Sequence, residues 1–359
     1  MEETLELAYR GRALASPNPM VGAVLVKNGE IIGRGFHTYE GVKHAEILAL
    51  EEAGSRARGS TLYINLEPCV HQARTPPCVD ALIAASVARV VAAVEDPNPQ
   101  VAGAGLARLA AAGVMVERAT EFEAPARRLN EAFFHFIRTG LPLVTLKTAT
   151  TLDGKISAPD DNTGWITSER ARAHVQQVRH DHDAILTGIG TALADDCLLT
   201  DRTGLPRRLP LLRLVVDSQL RLPLTSRLVK TFQNDLVVAT TSAAAQRRRA
   251  ALEALGIPVL TLDGPDGRVD LCALVRWLGG RQKISLMLEA GAKLNWAALE
   301  AGVVNKVLFY YAPKILGGLD SLPVAAGAGR RTRSSAIVLH DLRTFSVSPD
   351  EFVVEAYVR

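Results

Sequence analysis

No apolar run in this 359-residue chain reaches the roughly 18 residues needed to cross a bilayer, although hydrophobic residues make up 48% of it. No membrane span is expected. The start, Met1-Glu2-Glu3-Thr4, is acidic and leads into an amphipathic pattern (Leu5, Leu7, Ala8), so it lacks the basic and then apolar regions of a secretory signal. The expected compartment is the cytoplasm. An excess of charge of one sign is also missing: 41 Lys and Arg face 38 Asp and Glu, a net +3, too little for the basic stripe of a nucleic-acid binder. The clusters Arg247-Arg248-Arg249 and Arg330-Arg331-Thr332-Arg333 read as solvated surface, and the expected partner is a small molecule, with an anionic one open. Cysteine is scarce, at positions 69, 78, 197 and 272 only. Four in so long a chain make no disulfide scaffold, which leaves metal binding, chemistry or the core as their uses.

What is present reads as α/β. At roughly 150 residues per domain the length suggests two domains, and Arg138-Thr139-Gly140-Leu141-Pro142 combines a helix stop with Gly and Pro. That places the domains at 1–141 and 142–359. In the first, runs at Val21–Val26 and Ile31–Phe36 flank Lys27-Asn28-Gly29-Glu30, whose Asn-Gly pair suits a type I′ hairpin turn. Helix patterns near 43–53, 77–86 and 103–112 then alternate with strands at 61–66, 89–94 and 114–117. The second half restarts the alternation, with strands expected at 143–148, 184–187, 212–217, 236–240, 258–262, 284–289 and 304–311, and a closing hairpin over 345–347 and 352–357.

One constellation carries chemistry. His44-Ala45-Glu46 opens a predicted helix, and Pro68-Cys69 is followed by Pro76-Pro77-Cys78 at another helix start. One imidazole and two thiolates can hold zinc tetrahedrally with a fourth position left for water. Glu46 then stands ready to move protons, and H-x-E with a downstream Pro-Cys is the zinc-deaminase signature, although its usual second spacing is C-x-x-C. Here the spacing is C-x₈-C. Two other readings stay open: buried structural thiols, and a closed zinc site with His71 as fourth ligand, which would leave Glu46 without a role.

Around these residues lie Pro17-Asn18-Pro19-Met20-Val21-Gly22-Ala23-Val24, Gly35-Phe36-His37, Leu66-Glu67-Pro68-Cys69 and Asp96-Pro97-Asn98-Pro99. Together they resemble the bifunctional riboflavin-biosynthesis deaminase/reductase family, to whose branch the C-x₈-C spacing belongs. The resemblance implies a cytidine-deaminase-like αβα domain followed by a dihydrofolate-reductase-like α/β domain. It implies His44, Cys69 and Cys78 as ligands of one Zn²⁺, Glu46 as proton shuttle, and Asn18, His37, His71 and Arg74 as substrate-pocket residues. Ala73 stands where the family usually has Gly.

In the second half Gly188-Ile189-Gly190-Thr191-Ala192-Leu193 lacks the third glycine of a Rossmann fingerprint. Leu146-Lys147-Thr148-Ala149 through Asp153-Gly154-Lys155, Gly164-Trp165-Ile166-Thr167-Ser168, Val216-Asp217-Ser218 and Glu289-Ala290-Gly291 are similar instead to the same family's NADPH-dependent reductase. That likeness implies NADPH contacts at Ala149, Thr163, Trp165, Thr191, Asp195 and Ser218, and along a turn of Gly291, Ala292, Lys293, Leu294, Asn295, Trp296 and Ala297. It implies substrate contacts at Arg179, Leu199, Arg202 and Glu289, the two arginines being able to grip a sugar phosphate bidentately. Ala290, Ala292, Cys197 and Asp201 depart from the family pattern. Cys197, Cys272 and Trp277 read as core or near-core residues. The implied activity is two consecutive steps of riboflavin synthesis on one phosphorylated pyrimidine, in a homo-oligomer. A nucleic-acid base deaminase with a non-catalytic C-terminal binding domain is the alternative, and a catalytically dead zinc scaffold is a third reading.

Overall fold

The computed structural model describes residues 1–70, 76–99, 101–160 and 163–359. It divides into two compact units, Met1–Gly140 with Pro206–Leu209, and Leu141–Leu205 with Pro210–Arg359. The four residues 206–209 thus belong with the first unit, which a single cut of the sequence does not capture.

The first unit is built on strands β1 (Gly22–Lys27), β2 (Glu30–Phe36), β3 (Thr61–Ile64), β4 (Arg89–Ala92) and β5 (Met115–Arg118), in the order β2-β1-β3-β4-β5. The β1/β2 hairpin closes at Asn28 and Gly29, with φ of 52° and 82°, the paired positive values of a type I′ turn. β3, β4 and β5 run parallel. Helices α1 (Glu2–Tyr9), α2 (Ala45–Ala53), α3 (Cys78–Ala84), α4 (Ala104–Ala111), α5 (Glu123–Leu129) and α6 (Glu131–Thr139) accompany the sheet. A Cβ on Gly33 or Gly35 of β2 would come within 2.1 Å of the carbonyl oxygens of Ala49 and Ala45. Only glycine therefore permits α2 to lie this close to the sheet, and Ala45, Ala49 and Ala53 complete the contact as buried small residues. This packing fixes the helix that begins at His44.

The second unit carries a nine-stranded sheet: β6 (Leu143–Thr151), β8 (Ala184–Gly188), β9 (Leu212–Val216), β10 (Leu236–Thr240), β11 (Val259–Thr261), β12 (Ser285–Leu288), β13 (Lys306–Ala312), β15 (Leu339–Ser348) and β16 (Glu351–Val358). β7 (Lys155–Ser157) and β14 (Leu322–Pro323) pair separately. The order is β11-β10-β9-β8-β12-β6-β13-β16-β15, parallel from β11 to β13 and closed by the antiparallel β16 and β15. Alternate residues of the central strands enter two different cores: Ile185, Val215, Val238 and Met287 one, and Leu186, Leu214, Val237 and Leu286 the other. Both faces are covered, as a parallel sheet requires, by helices α7 (Glu169–His180), α8 (Ile189–Asp195), α9 (Arg227–Lys230), α10 (Gln246–Glu253), α11 (Leu271–Gly279) and α12 (Ala292–Glu300). Cys197 and Trp277 pack half-buried against these cores, and Cys272 is half-buried on α11.

Candidate active sites

In the first unit His44 is the N-cap residue of α2, and its imidazole is not spent on capping. Cys78 opens α3 behind Pro77, and Cys69 follows β3 through Glu67 and Pro68. The chain brings all three together: His44 Nδ1 lies 3.1 Å from Cys78 Sγ and 3.5 Å from Cys69 Sγ, with all three donor atoms within 4.8 Å of one another. A tetrahedral zinc with bonds of about 2.1 Å to N and 2.3 Å to S sets N···S separations of about 3.5 Å, so the donor set fits this ion. No other such cluster occurs among the described residues. Hydrogen bonding from Cys78, and then from His44, brings the Cys69 thiol down to about 4, while the bond to Cys69 and burial push Cys78 up. The bond to Cys69 likewise raises His44.

Glu46, in the first turn of α2, is 3% exposed. Burial raises its carboxyl, which also interacts with the Cys78 thiol, so it lies beside the donor cluster. His37 Nδ1 donates to the Lys43 carbonyl at 3.0 Å. Its Nε2 in the neutral ring is then an acceptor, 3.0 Å from Asn18 Nδ2, and its ring meets that of His44 edge-on with centroids 5.3 Å apart. Asn18, His37 and the donor cluster are therefore contiguous. Glu67, which sequence reasoning passes over, is buried and accepts four backbone N–H groups, from Asp96, Gly103, Gly105 and Leu106, at 2.8–3.1 Å. It ties the approach to Cys69 to the start of α4. His71 and Arg74 lie outside the described residues.

The second site forms at the carboxyl ends of the parallel strands, where ligands of open α/β sheets bind. Glu289 follows β12, beside Lys147 of β6. Its carboxylate takes a bidentate pair from Arg179 at 2.6 and 3.0 Å, and Lys147 Nζ is 3.6 Å away. Burial alone would raise this carboxyl, but the two cations more than offset it and hold it at about 2. Burial also lowers the Lys147 ammonium against the pull of Glu289. In this structure Glu289 takes the guanidinium fork of Arg179, the arginine expected at a substrate position, and the remaining nitrogen donates to the Thr200 carbonyl at 3.1 Å, since a carboxylate so far removed from water is held by its cation. Arg202 is exposed. Leu199 is 4% exposed with its side chain in the core, so a substrate contact from it falls to its main chain. Asp201 accepts from His180 Nδ1 at 2.7 Å and from the Thr203 hydroxyl at 2.7 Å, which gives this departure from the family pattern a structural role.

Lys147 is the residue missed in sequence. Its signal was a lone charged residue inside a strand of apolar residues and threonines, level with a strand-ending glutamate. Tyr310, buried on β13 opposite Ala149, holds His174 Nδ1 at 2.7 Å with its hydroxyl and places its ring under Lys147.

The segment 291–297 is not a turn. Gly291 is the N-cap and α12 begins at Ala292. The N–H groups of Leu294 and Asn295 already bond to the Gly291 carbonyl, so the donors left for an anion are those of Ala292 and Lys293. Asn295 and Trp296 face inward, toward Val324 and Gly327, while Leu294 packs beside Gly188 and Ala297 joins a core. A Cβ on Gly291 would meet the Thr191 hydroxyl at 3.4 Å, which puts the start of α12 next to α8. Asp195 lies at the exposed end of α8, and half-buried Ser218 follows β9. Thr163 and Trp165 are exposed ahead of α7, with the Arg172 guanidinium 4.7 Å over the Trp165 ring.

A three-ligand zinc cradle with an adjacent carboxyl, and a separate parallel sheet with a buried charge cluster at its carboxyl edge, define a zinc deaminase joined to a reductase. Residues 1–94 match the cytidine and deoxycytidylate deaminase zinc-binding region, and residues 142–350 match the RibD C-terminal domain. The chain is 43% identical over 339 residues to the riboflavin biosynthesis protein RibD of Escherichia coli, covering 90% of each. To that of Actinobacillus pleuropneumoniae it is 42% identical over 340 residues, covering 94% of this chain and 89% of the relative. Its structure is similar to that of Acinetobacter baumannii RibD, with a TM-score of 0.86 and 35% identity over 100% and 97% of the two chains. It is also similar to a diaminohydroxyphosphoribosylaminopyrimidine deaminase/5-amino-6-(5-phosphoribosylamino)uracil reductase of Thermotoga maritima, with a TM-score of 0.84 and 31% identity over 100% and 97%. The chain belongs to the RibD family: it is a bifunctional deaminase and reductase of riboflavin biosynthesis acting on a small molecule. Among the described residues no helix is long and apolar enough to cross a membrane.

Proposed function

We propose that residues 1–141 deaminate 2,5-diamino-6-ribosylamino-4(3H)-pyrimidinone 5′-phosphate and that residues 142–359 reduce its ribosyl chain. The observation that carries this reading is the convergence of His44, Cys69 and Cys78 with buried Glu46 alongside. These three residues would hold Zn²⁺, which when bound makes a coordinated water acidic enough to attack near neutral pH. Glu46 takes the protons of the attacking water and passes one to the neighbouring ring nitrogen and one to the 2-amino group, so the exocyclic bond from C2 to that amino group breaks, a C2=O forms and ammonia leaves. Asn18 and His37 orient the pyrimidine.

In the second half bound NADPH would supply the hydride that turns C1′ of the ribosyl chain into the ribityl carbon. The free N–H groups of Ala292 and Lys293 at the start of α12 receive its pyrophosphate, and Thr191, Ser218, Asp195, Ala149, Thr163 and Trp165 line the cofactor's path. Lys147, an ammonium loosened by burial, delivers the proton that accompanies the hydride to the departing sugar oxygen. Glu289 orients Lys147 and the substrate, Arg179 holds Glu289 in place, and exposed Arg202 takes the phosphate. The same reading places the enzyme in the cytoplasm as a homo-oligomer, which light scattering on the purified protein checks.

The test supplies the diamino pyrimidine phosphate with and without NADPH. Ammonia should be released in both cases, and NADPH should be oxidised only as deaminated product accumulates. Failure to release ammonia from a zinc-loaded enzyme would overturn the deaminase assignment, and NADPH oxidation without deamination would overturn the order of steps.

A further inference from the structure

Neither family match reaches residues 95–141, yet this stretch returns to the deaminase site. Asn130 joins α5 to α6 and is 2% exposed. An asparagine at a helix N-cap ordinarily accepts a hydrogen bond from the helix's own first turn, but the side chain of Asn130 makes no capping bond. It reaches across 110 residues of sequence instead. Its Oδ1 accepts the Met20 N–H at 2.7 Å and its Nδ2 donates to the Met20 carbonyl at 2.9 Å. Fully buried Asn65 donates to the same carbonyl at 2.9 Å and accepts the Gly22 N–H at 2.8 Å. Met20 thus has both backbone groups satisfied by side-chain amides, in a segment that precedes β1 and has no sheet partner of its own. Asn18, two residues upstream, is the residue that meets His37.

We infer that Asn130 is a positioning residue of the deaminase, fixing the Pro17–Met20 segment so that Asn18 stands where it meets the pyrimidine. This rests on the reading of Asn18 as a substrate contact. Removing the Asn130 amide leaves the partly buried Met20 N–H without this partner, and the segment shifts to regain one from water. Displacement of a positioning group by about 1 Å costs up to about a hundredfold in rate. Zinc, Glu46 and the second unit are untouched by that shift.

The experiment compares Asn130→Ala, Asn130→Asp, Asn18→Ala and the Asn18→Ala/Asn130→Ala double variant in the full-length, zinc-loaded enzyme. Ammonia release from the diamino pyrimidine phosphate, zinc content and reductase turnover on deaminated substrate are each measured. Asn130→Ala should lower kcat/KM for deamination by about ten- to a hundredfold, chiefly through a higher KM, and leave zinc content and reductase turnover as in the wild type. Asn130→Asp keeps the acceptor for Met20 N–H and should lose less. The double variant should be no worse than Asn18→Ala, since two residues acting through one contact are not additive. A wild-type KM in Asn130→Ala beside an impaired Asn18→Ala, or full additivity of the pair, would overturn the inference. A wild-type KM in Asn18→Ala would instead overturn the pocket reading on which it rests. Should Asn130→Ala not fold, the split between KM and kcat in Asn130→Asp decides.

Discussion

In the first unit three donor atoms and a carboxyl meet within a few ångströms, His44, Glu46 and Cys78 delivered by helix starts and Cys69 by the loop after β3, and all four are side chains. In the second unit the reactive edge is spread over the ends of β6, β8, β9 and β12. Under the proposed function it relies on helix N–H groups, and its charged centre of Lys147, Glu289 and Arg179 is already internally paired. The difference follows from what each chemistry needs. A metal selects ligand types and a fixed geometry, which leaves a trace in residue identity. A dinucleotide is held largely by backbone and by shape, which leaves little. The first site should therefore fail abruptly through single atoms, and the second should fail gradually, with stability and activity moving together.

The sharpest break is at the metal. Cys78→Ser should lose zinc and all measurable ammonia release while still oxidising NADPH on deaminated substrate; metal analysis beside both assays checks it, and full zinc occupancy would remove Cys78 from the ligand set. Next in size is Glu46→Gln, which should keep its zinc and lose about 10² to 10⁴ in deamination rate. Reduction should be unaffected, and its loss in a folded protein would show that the two sites are not independent.

The second unit has no counterpart to that separation. Glu289→Gln leaves Lys147 and Arg179 as buried unpaired cations, a loss of about 3–5 kcal/mol, so it should lower the unfolding midpoint and abolish reduction together while ammonia release persists. The acid dependence has a definite sign. A carboxyl held at about 2 in the folded state contributes stability above its unfolded value of about 4.3 and loses it as pH falls toward 2. Wild-type stability of this unit should fall across that window, and Glu289→Gln should flatten the fall.

The same contrast governs what was legible in sequence. The strands of both units are visible because they alternate or run apolar between turn residues, and Asn28-Gly29 announces its hairpin. The zinc set is visible because His44, Cys69 and Cys78 are uncommon residues in a tight arrangement. α5 was hidden by Pro125, which reads as a breaker but sits in the first turn, where no N–H is needed. β7 and β14, at three and two residues, are too short to show a period. The buried partners were harder still: Glu67 and Asn130 act on backbone groups far along the chain, and the capture of Arg179 by Glu289 depends on β12 being inserted between β8 and β6. Nothing in local sequence reports such a neighbour.

The smallest effect expected concerns cofactor choice, where the second unit would come nearest to the first in using one side chain for one atom. NADPH differs from NADH by a phosphate on the adenosine ribose, and preference for it needs a donor or cation there. Ser218 follows β9 at a cofactor position of the family, half-buried, with its carbonyl accepting from the Thr241 hydroxyl at 3.0 Å. Arg221, three residues on, is exposed between buried Leu220 and Leu222, and Asp217 anchors that short loop by accepting the Leu222 N–H at 2.8 Å. An arginine on so firmly tethered a loop can meet the phosphate without first ordering its backbone. Charge-assisted hydrogen bonds contribute roughly 1.5–3 kcal/mol, or about one to two decades in affinity. Arg221→Ala should therefore weaken NADPH by that factor and leave NADH unchanged. Equal changes for both cofactors, or none, would return Arg221 to plain surface and leave the second site wholly dependent on backbone and shape.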